Sequence, residues 1–165
     1  MIALKNILVA TDFSDAAKVA LDYGRDFARA CGATLHVLHV VEDLTYRWGG
    51  ELGFSLPELQ GQWVADATTN LEALLTADDR QSIRFVAATT TKSSPAMGII
   101  DYAQTNNIDL IIAGTHGRGP VQHFLMGSVA ERVVRTAPCP VLTVRAHERD
   151  FIAEDALVAV DGVAT

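Results

Sequence analysis

The chain has 165 residues, 49% of them hydrophobic and 20% charged, enough for one domain with its own core and too few to require a second. Its formal charge of -7 argues against a general grip on DNA or RNA, which needs Lys and Arg gathered on one face, and no apolar run approaches the roughly 20 residues that cross a bilayer. A small phosphate ligand stays open, because screening over about 8 Å leaves the groups lining a pocket to decide.

The opening Met1-Ile2-Ala3-Leu4-Lys5 lacks the pattern of a secretory signal, so a cytoplasmic location is expected. Ile7-Leu8-Val9-Ala10 is a short apolar run, the mark of a strand buried on both faces. Ser14 is placed to cap a following helix, whose Ala16, Val19, Ala20, Tyr23, Phe27 and Ala30 recur at helical spacing before Gly32 stops it. Leu35 to Val41 reads as a second strand interrupted by His36 and His39, which fall on opposite faces and make no metal pair. Residues 42–57 carry Gly49, Gly50, Gly53 and Pro57 among Tyr46, Trp48 and Phe54, too many breakers for a regular element. A helix is expected from Glu58 to Leu75 on the stripe Leu59, Trp63, Ala67, Leu71 and Leu74, then a strand from Ile83 to Ala88. Pro95 opens a helix that runs to Asn106-Asn107. Ile108 to Ala113 is the next strand, Gly114 to Met126 a loop, Ser128 to Thr136 a helix, and Val141 to Val144 a closing strand. Cys31 and Cys139 have neither CxxC spacing nor a ligand cluster and read as reduced structural thiols.

Strand and helix alternate, which implies a doubly wound α/β domain with parallel strands and helices on both faces. Such sheets bind ligands at the carboxyl ends of the strands where the winding reverses. The site is therefore expected at Thr11-Asp12-Phe13 and from Gly114 onward. Gly114, Gly117, Gly119 and Gly127 fall within fifteen residues. Glycines let main-chain N–H groups close on phosphate oxygens, and Gly127-Ser128 opens a helix whose free N–H groups and partial positive charge attract anions. A second reading stands beside it: Ser128-Val129-Ala130-Glu131 has the form of a capping box, which needs no ligand. Asp12 likewise has two readings, hydrogen bonding to a ribose or capping the first helix. His116 and His123 read either as facing the phosphates or as exposed loop residues, in both cases with no catalytic role.

These residues resemble a known family. The spacing Gly114, two residues, Gly117, nine residues, Gly127-Ser128 is similar to the ATP-binding signature of universal stress proteins. Ile7 to Asp12 resembles the family's opening strand, Pro95 to Gly114 its helix and fourth strand, and Gly127 to Val144 its closing segment, so that the likeness runs from about Lys5 to Arg145. The resemblance implies a five-stranded parallel sheet in the order 3-2-1-4-5, a homodimer, and binding of ATP or AMP, with Mg2+ or Mn2+ accompanying ATP. Carried over by position, Ala10, Thr11, Asp12 and Val41 would contact adenine and ribose, and Ala113 would close the base pocket. Gly114, His116, Gly117, Arg118, Gly127, Ser128 and Val129 would hold ribose and phosphates. Members without the glycine spacing do not bind ATP, so its presence implies a binder. Pro120 departs from the pattern and stiffens the loop, which leaves ATP and AMP both open.

Function then reads as a nucleotide-gated regulator in stress response or signalling, with hydrolysis slow at most. The chain has no GxxxxGK[ST] loop and no arranged nucleophile and base. An adenylate-forming or pyrophosphatase relative would need a glycine- and serine-rich loop where Thr11-Asp12-Phe13-Ser14-Asp15 stands. A receiver-like, nucleotide-independent interaction module would need an aspartate ending the third strand and a lysine after the fifth, where Ala88-Thr89-Thr90 and Arg145 stand. The domain is expected over residues 1–146, with 147–165 as a tail. In that tail Ala156 to Gly162 repeats the pattern of Ile7 to Phe13, with Leu, Val, Ala and Asp in the same places. The tail reads either as the first strand of a lost second repeat, able to add to a sheet edge, or as chance similarity.

Overall fold

The computed structural model describes residues 3–43, 56–115 and 126–146. Along the chain these form β1 (Asn6–Ala10), α1 (Asp15–Cys31), β2 (Thr34–Glu42), α2 (Leu56–Ala73), α3 (Ala77–Ser82), β3 (Arg84–Lys92), α4 (Pro95–Thr105), β4 (Leu110–Gly114), α5 (Ser128–Thr136) and β5 (Val141–Val144). The strands make one parallel sheet in the order β3-β2-β1-β4-β5, the doubly wound topology expected.

The pleat sorts the apolar runs onto two faces. Ile7 and Val9 of β1, with Leu35 and Val37 of β2, meet Ala20, Leu21 and Ala28 of α1 and Leu71 of α2. Leu8 and Leu38 point the other way, toward Ala96, Ile99 and Ala103 of α4 and Val133 of α5. Central β1 is thus covered on both sides, and Ile7, Leu8 and Val9 have no exposed surface. This is why the run carries no polar residue to alternate with.

Local chemistry fixes the element ends. Ser14 Oγ accepts the Ala17 N–H at 3.3 Å to start α1, and Gly32 closes it in the left-handed region at φ +64°, where a Cβ would be strained. Pro95 occupies the first turn of α4, where its missing N–H costs no bond. The Asp109 carboxylate accepts the main-chain N–H groups of Lys5 and Asn6 at 2.7 and 2.9 Å. Ile108 N–H turns back to Ala103 C=O at 3.0 Å and Asp109 holds this clamp on the start of β1, and β4 begins at Leu110, two residues later than the apolar run suggests.

Three further elements differ from the sequence expectation. β3 continues past Ala88 to Lys92 because Thr89, Thr90 and Thr91 pair with His39, Val40 and Val41 of β2, and β-branched threonine suits a strand. α2 buries only the C-terminal half of its stripe: Ala67 and Leu71 are buried and Leu74 packs on the core, while Leu59 and Trp63 are exposed. The short α3 was not foreseen. Its Thr76 and Asp79 form a reciprocal capping box, with Asp79 N–H on Thr76 Oγ1 and Thr76 N–H on Asp79 Oδ2, both at 3.0 Å. The fully buried Asp79 carboxylate also receives Arg25 Nε at 3.0 and 3.1 Å and Arg29 at 3.3 Å. These contacts tie α3 to α1. The aromatic loop expected at 42–57 falls largely, and the 147–165 tail wholly, outside the described residues.

Candidate functional site

β1 and β4 lie side by side, with Ala10 opposite Ala113, and the chain leaves their carboxyl ends toward different helices. That divergence opens a crevice. A cavity of about 390 Å³ occupies it, a volume in the range of small-molecule sites. Ala10, Thr11 and Asp12 line it from β1, Ala113, Gly114 and Thr115 from β4, and Gly127, Ser128, Val129, Ala130 and Val133 from the start of α5. Ala17 of α1, Leu38, His39 and Val40 of β2, and Pro95 and Ile99 of α4 complete the wall.

The turn after β1 is tightly organised. Thr11 N–H continues the ladder onto Leu38 C=O at 2.9 Å. Thr11 Oγ1 accepts the Phe13 N–H at 3.0 Å and Asp12 Oδ1 accepts the Ser14 N–H at 3.0 Å. Phe13 itself has φ +64°, a strained setting for a side-chain-bearing residue that these bonds enforce. His39 braces the turn from β2: its Nδ1 stands 2.8 Å from Thr11 C=O and its ring 4.7 Å from the Phe13 ring. A carbonyl only accepts, so Nδ1 carries the hydrogen. Asp12 therefore serves the start of α1 while its residue also lines the cavity.

Across the cavity, α5 starts one residue earlier than the capping-box reading requires. The N-cap is Gly127, in extended conformation, and it makes no side-chain cap hydrogen bond. Ser128 is the first helical residue, and Glu131 pairs with Arg135 at 3.1 Å. The box at Ser128–Glu131 is thus not formed. Gly127 N–H is taken by Thr115 C=O at 2.7 Å, and Gly127 C=O by Glu131 N–H at 2.9 Å. This bond joins the two ends of the glycine-rich segment, so the amide of Gly127 is committed to closing it. The next amides, Ser128, Val129 and Ala130, belong to a first turn that has no intrahelical acceptor for them and that carries the positive end of the helix dipole.

Gly114 has a reason of its own to lack a side chain. A Cβ there would stand 2.8 Å from Ala16 Cβ and 3.1 Å from the Ala16 carbonyl carbon, so the close passage of α1 over β4 requires glycine. Of the residues expected at the site, Ala10, Thr11, Asp12, Ala113, Gly114, Gly127, Ser128 and Val129 line the cavity. Val41 does not. The pleat turns Val40 into it instead, and Val41 lines a neighbouring groove of about 560 Å³ together with Phe13 and Trp63. His116, Gly117 and Arg118 lie outside the described residues. Lining residues not named from the sequence include Leu38, His39 and Val40 of β2, Pro95 and Ile99 of α4, and Ala17 of α1. The available signal was that β2 neighbours β1, so its carboxyl end borders the same crevice.

His36, Tyr102, Cys31 and Cys139 lie outside the cavity lining. His36, on the opposite face from His39, is buried with Nδ1 3.0 Å from Tyr102 Oη; burial lowers the imidazole pKa and raises the phenol's. Burial and the nearby Asp109 charge push the Cys139 thiol up, and Cys31 and Cys139 are both free. Among the described residues no three His, Cys, Asp or Glu side chains converge as a metal site. Nor, among those residues, is any helix long and apolar enough to cross a membrane.

The sequence profile described as the Universal stress protein family matches residues 3–145. The chain belongs to the universal stress protein family. Among members, universal stress protein A homolog 1 of Coxiella burnetii is 32% identical over 149 residues, covering 85% of this chain and 95% of the relative. The solved structure of the universal stress protein UspA from Lactobacillus plantarum superposes with a TM-score of 0.73 at 30% identity, covering 88% of this chain and 100% of the other. Two more distant structures share the fold. One is a universal stress protein in complex with cAMP, at 19% identity, TM-score 0.64 and coverage of 88% and 100%. The other, from Archaeoglobus fulgidus, is in complex with dAMP, at 20% identity, TM-score 0.57 and coverage of 87% and 99%.

Proposed function

We propose that this universal stress protein binds an adenine nucleotide, ATP or AMP, in the crevice between β1 and β4, and that occupancy gates a cytoplasmic homodimer acting in stress response rather than a dedicated enzyme. The observation that carries the reading is the start of α5, where a helix N-terminus without a side-chain cap forms one wall of a cavity of about 390 Å³. A bond from such an amide to a phosphate oxygen contributes about 1.5–3 kcal/mol. Three or four of them, with base and ribose contacts, are sufficient for micromolar affinity, about 8 kcal/mol, after association costs. That two proteins of this fold were solved with cAMP and dAMP supports an adenine-bearing ligand.

In this reading Ala10, Asp12, Val40 and Ala113 face base and ribose, Thr11 shapes the turn beneath them, and Ser128 and Val129 offer amides to phosphate. Gly114 keeps β4 close to α1, and His116, Gly117 and Arg118 approach the phosphates from the adjoining segment. The described residues do not fit a protein-built cation site, so a Mg2+ or Mn2+ ion would be held chiefly by the nucleotide's own phosphates. Among the described lining residues Asp12 and His39 are engaged in bracing the turn after β1, and in this reading any hydrolysis is slow.

Val129→Glu separates the site from the fold. Val129 is exposed on the first turn of α5, where a carboxylate stabilises the helix by about 0.3–1 kcal/mol yet repels phosphate. The melting temperature is expected to hold or rise while calorimetric affinity for ATP and AMP falls at least about tenfold. Unchanged affinity in this variant contradicts the site.

A further inference from the structure

The groove of about 560 Å³ that adjoins the crevice is lined differently. α2 supplies one wall from a single helical face, Trp63, Asp66, Ala67 and Asn70 at i, i+3, i+4 and i+7. Of these only Ala67 is buried. Trp63 is 43% exposed, and the side chains of Asp66 and Asn70 have no hydrogen-bond or ion-pair partner among the described residues. Phe13, held at φ +64° with its ring 4.7 Å from that of His39, brings a second aromatic surface to the same groove. A tryptophan left in solvent beside a groove is the kind of residue that anchors a protein interface.

Charge selects the partner. The described lining holds three carboxylates, Asp12, Glu42 and Asp66, and neither Lys nor Arg, in a chain of net charge -7. A phosphate tail reaching over from the crevice would be repelled, and a wholly apolar segment would cover Asp66 and Asn70 without giving either a partner. A guanidinium answers both wall types: its flat cationic face stacks on an indole, and its forked N–H donors suit a carboxylate and an amide carbonyl. We propose that this groove docks an arginine-bearing segment of a partner protein, with a guanidinium seated on Trp63, Asp66 and Asn70. Asp12, His39, Val40 and Pro95 line both the groove and the crevice, so a segment docked there borders the turn after β1 that the crevice also uses. Docking itself requires no nucleotide.

The test is a titration of the nucleotide-free, isotope-labelled full chain with an acetylated, amidated pentapeptide carrying arginine at its second and fourth positions. The same peptide with citrulline, the uncharged isostere, is the comparison. The Trp63 indole resonance is identified by its loss in Trp63→Phe. The arginine peptide is expected to shift that resonance and the amides of Phe13, Asp66 and Asn70 saturably, and to bind at least about tenfold more tightly than the citrulline peptide. Asp66→Asn, at an exposed position outside the crevice lining, is expected to weaken peptide binding at least about threefold while melting temperature and nucleotide affinity hold. Equal affinity for the citrulline peptide would overturn the proposal. So would an unmoved Trp63 indole at millimolar arginine peptide, or shifts gathered instead around Asp22, Asp26 and Asp78 on the acidic surface of α1 and α3. With no nucleotide present, a failure here leaves the reading of the crevice untouched.

Discussion

His36 and His39 stand three residues apart on β2, and the pleat gives them different environments. His39 braces the turn at the candidate site, while His36 is enclosed beside Tyr102. Burial holds the folded His36 pKa below its ordinary value of 6.5, so the unfolded chain takes up the proton first. The contribution to stability is then full above about pH 6.5 and is lost as pH falls toward the folded value. Urea midpoints should decline between about pH 7.5 and 5.5, and more steeply than in His36→Gln, which keeps a polar partner for Tyr102 but cannot titrate. Identical pH profiles would contradict this. The same pleat explains which site residues were legible. Ala10 to Asp12 and Gly127 to Val129, expected at a site, line the cavity, and they were legible because the ends of β1 and α5 are marked by Asp12, Gly127 and Ser128. Val41, expected at the site, lines the neighbouring groove while Val40 reaches the cavity, because a single-residue shift along a strand reverses the face and nothing in an apolar run such as Val40-Val41 fixes that register.

Among the elements, those with both periodicity and a cap were readable: α1 between Ser14 and Gly32, and α4 behind Pro95. α3 is six residues long, too short to show a period, and its one signal was the Thr76–Asp79 spacing. The same kind of spacing misled at Ser128–Glu131, where Gly127 takes the cap position and Thr115 takes its amide. α3 earns its place through charge. Burial raises the Asp79 pKa, but the hydrogen bonds from Thr76 and the Arg25 guanidinium outweigh it, and the net shift is downward. Its stabilising contribution is present above the ordinary carboxylate value of 3.8 and is lost as pH falls through the folded one. Asp79→Asn leaves Arg25, which is only 16% exposed, without its buried counter-charge. The expected cost is about 3 kcal/mol in urea unfolding at neutral pH. A cost under about 1 kcal/mol, the range of surface pairs, would contradict the coupling of α1 to α3.

At the scale of the whole molecule, the alternation of strand and helix was enough to foresee a doubly wound sheet, and its order was implied by family resemblance. The order β3-β2-β1-β4-β5 places the reversal of winding between β1 and β4, and everything at the candidate site follows from that divergence. Two core layers pack against the sheet on either side and back the strands that line the crevice. The central claim, that an adenine nucleotide occupies this crevice with its phosphates on the start of α5, is tested most directly by titrating MgATP and AMP into isotope-labelled protein and following the amide resonances. The account predicts saturable shifts at micromolar ligand centred on Ala10 to Asp12, His39, Val40, Ala113, Gly114 and Ser128 to Ala130, on walls that β1, β2, β4 and α5 supply, and on His116 to Arg118 of the adjoining segment. Unmoved amides at Ser128 to Ala130 with millimolar nucleotide, or shifts gathered elsewhere on the surface, would contradict it.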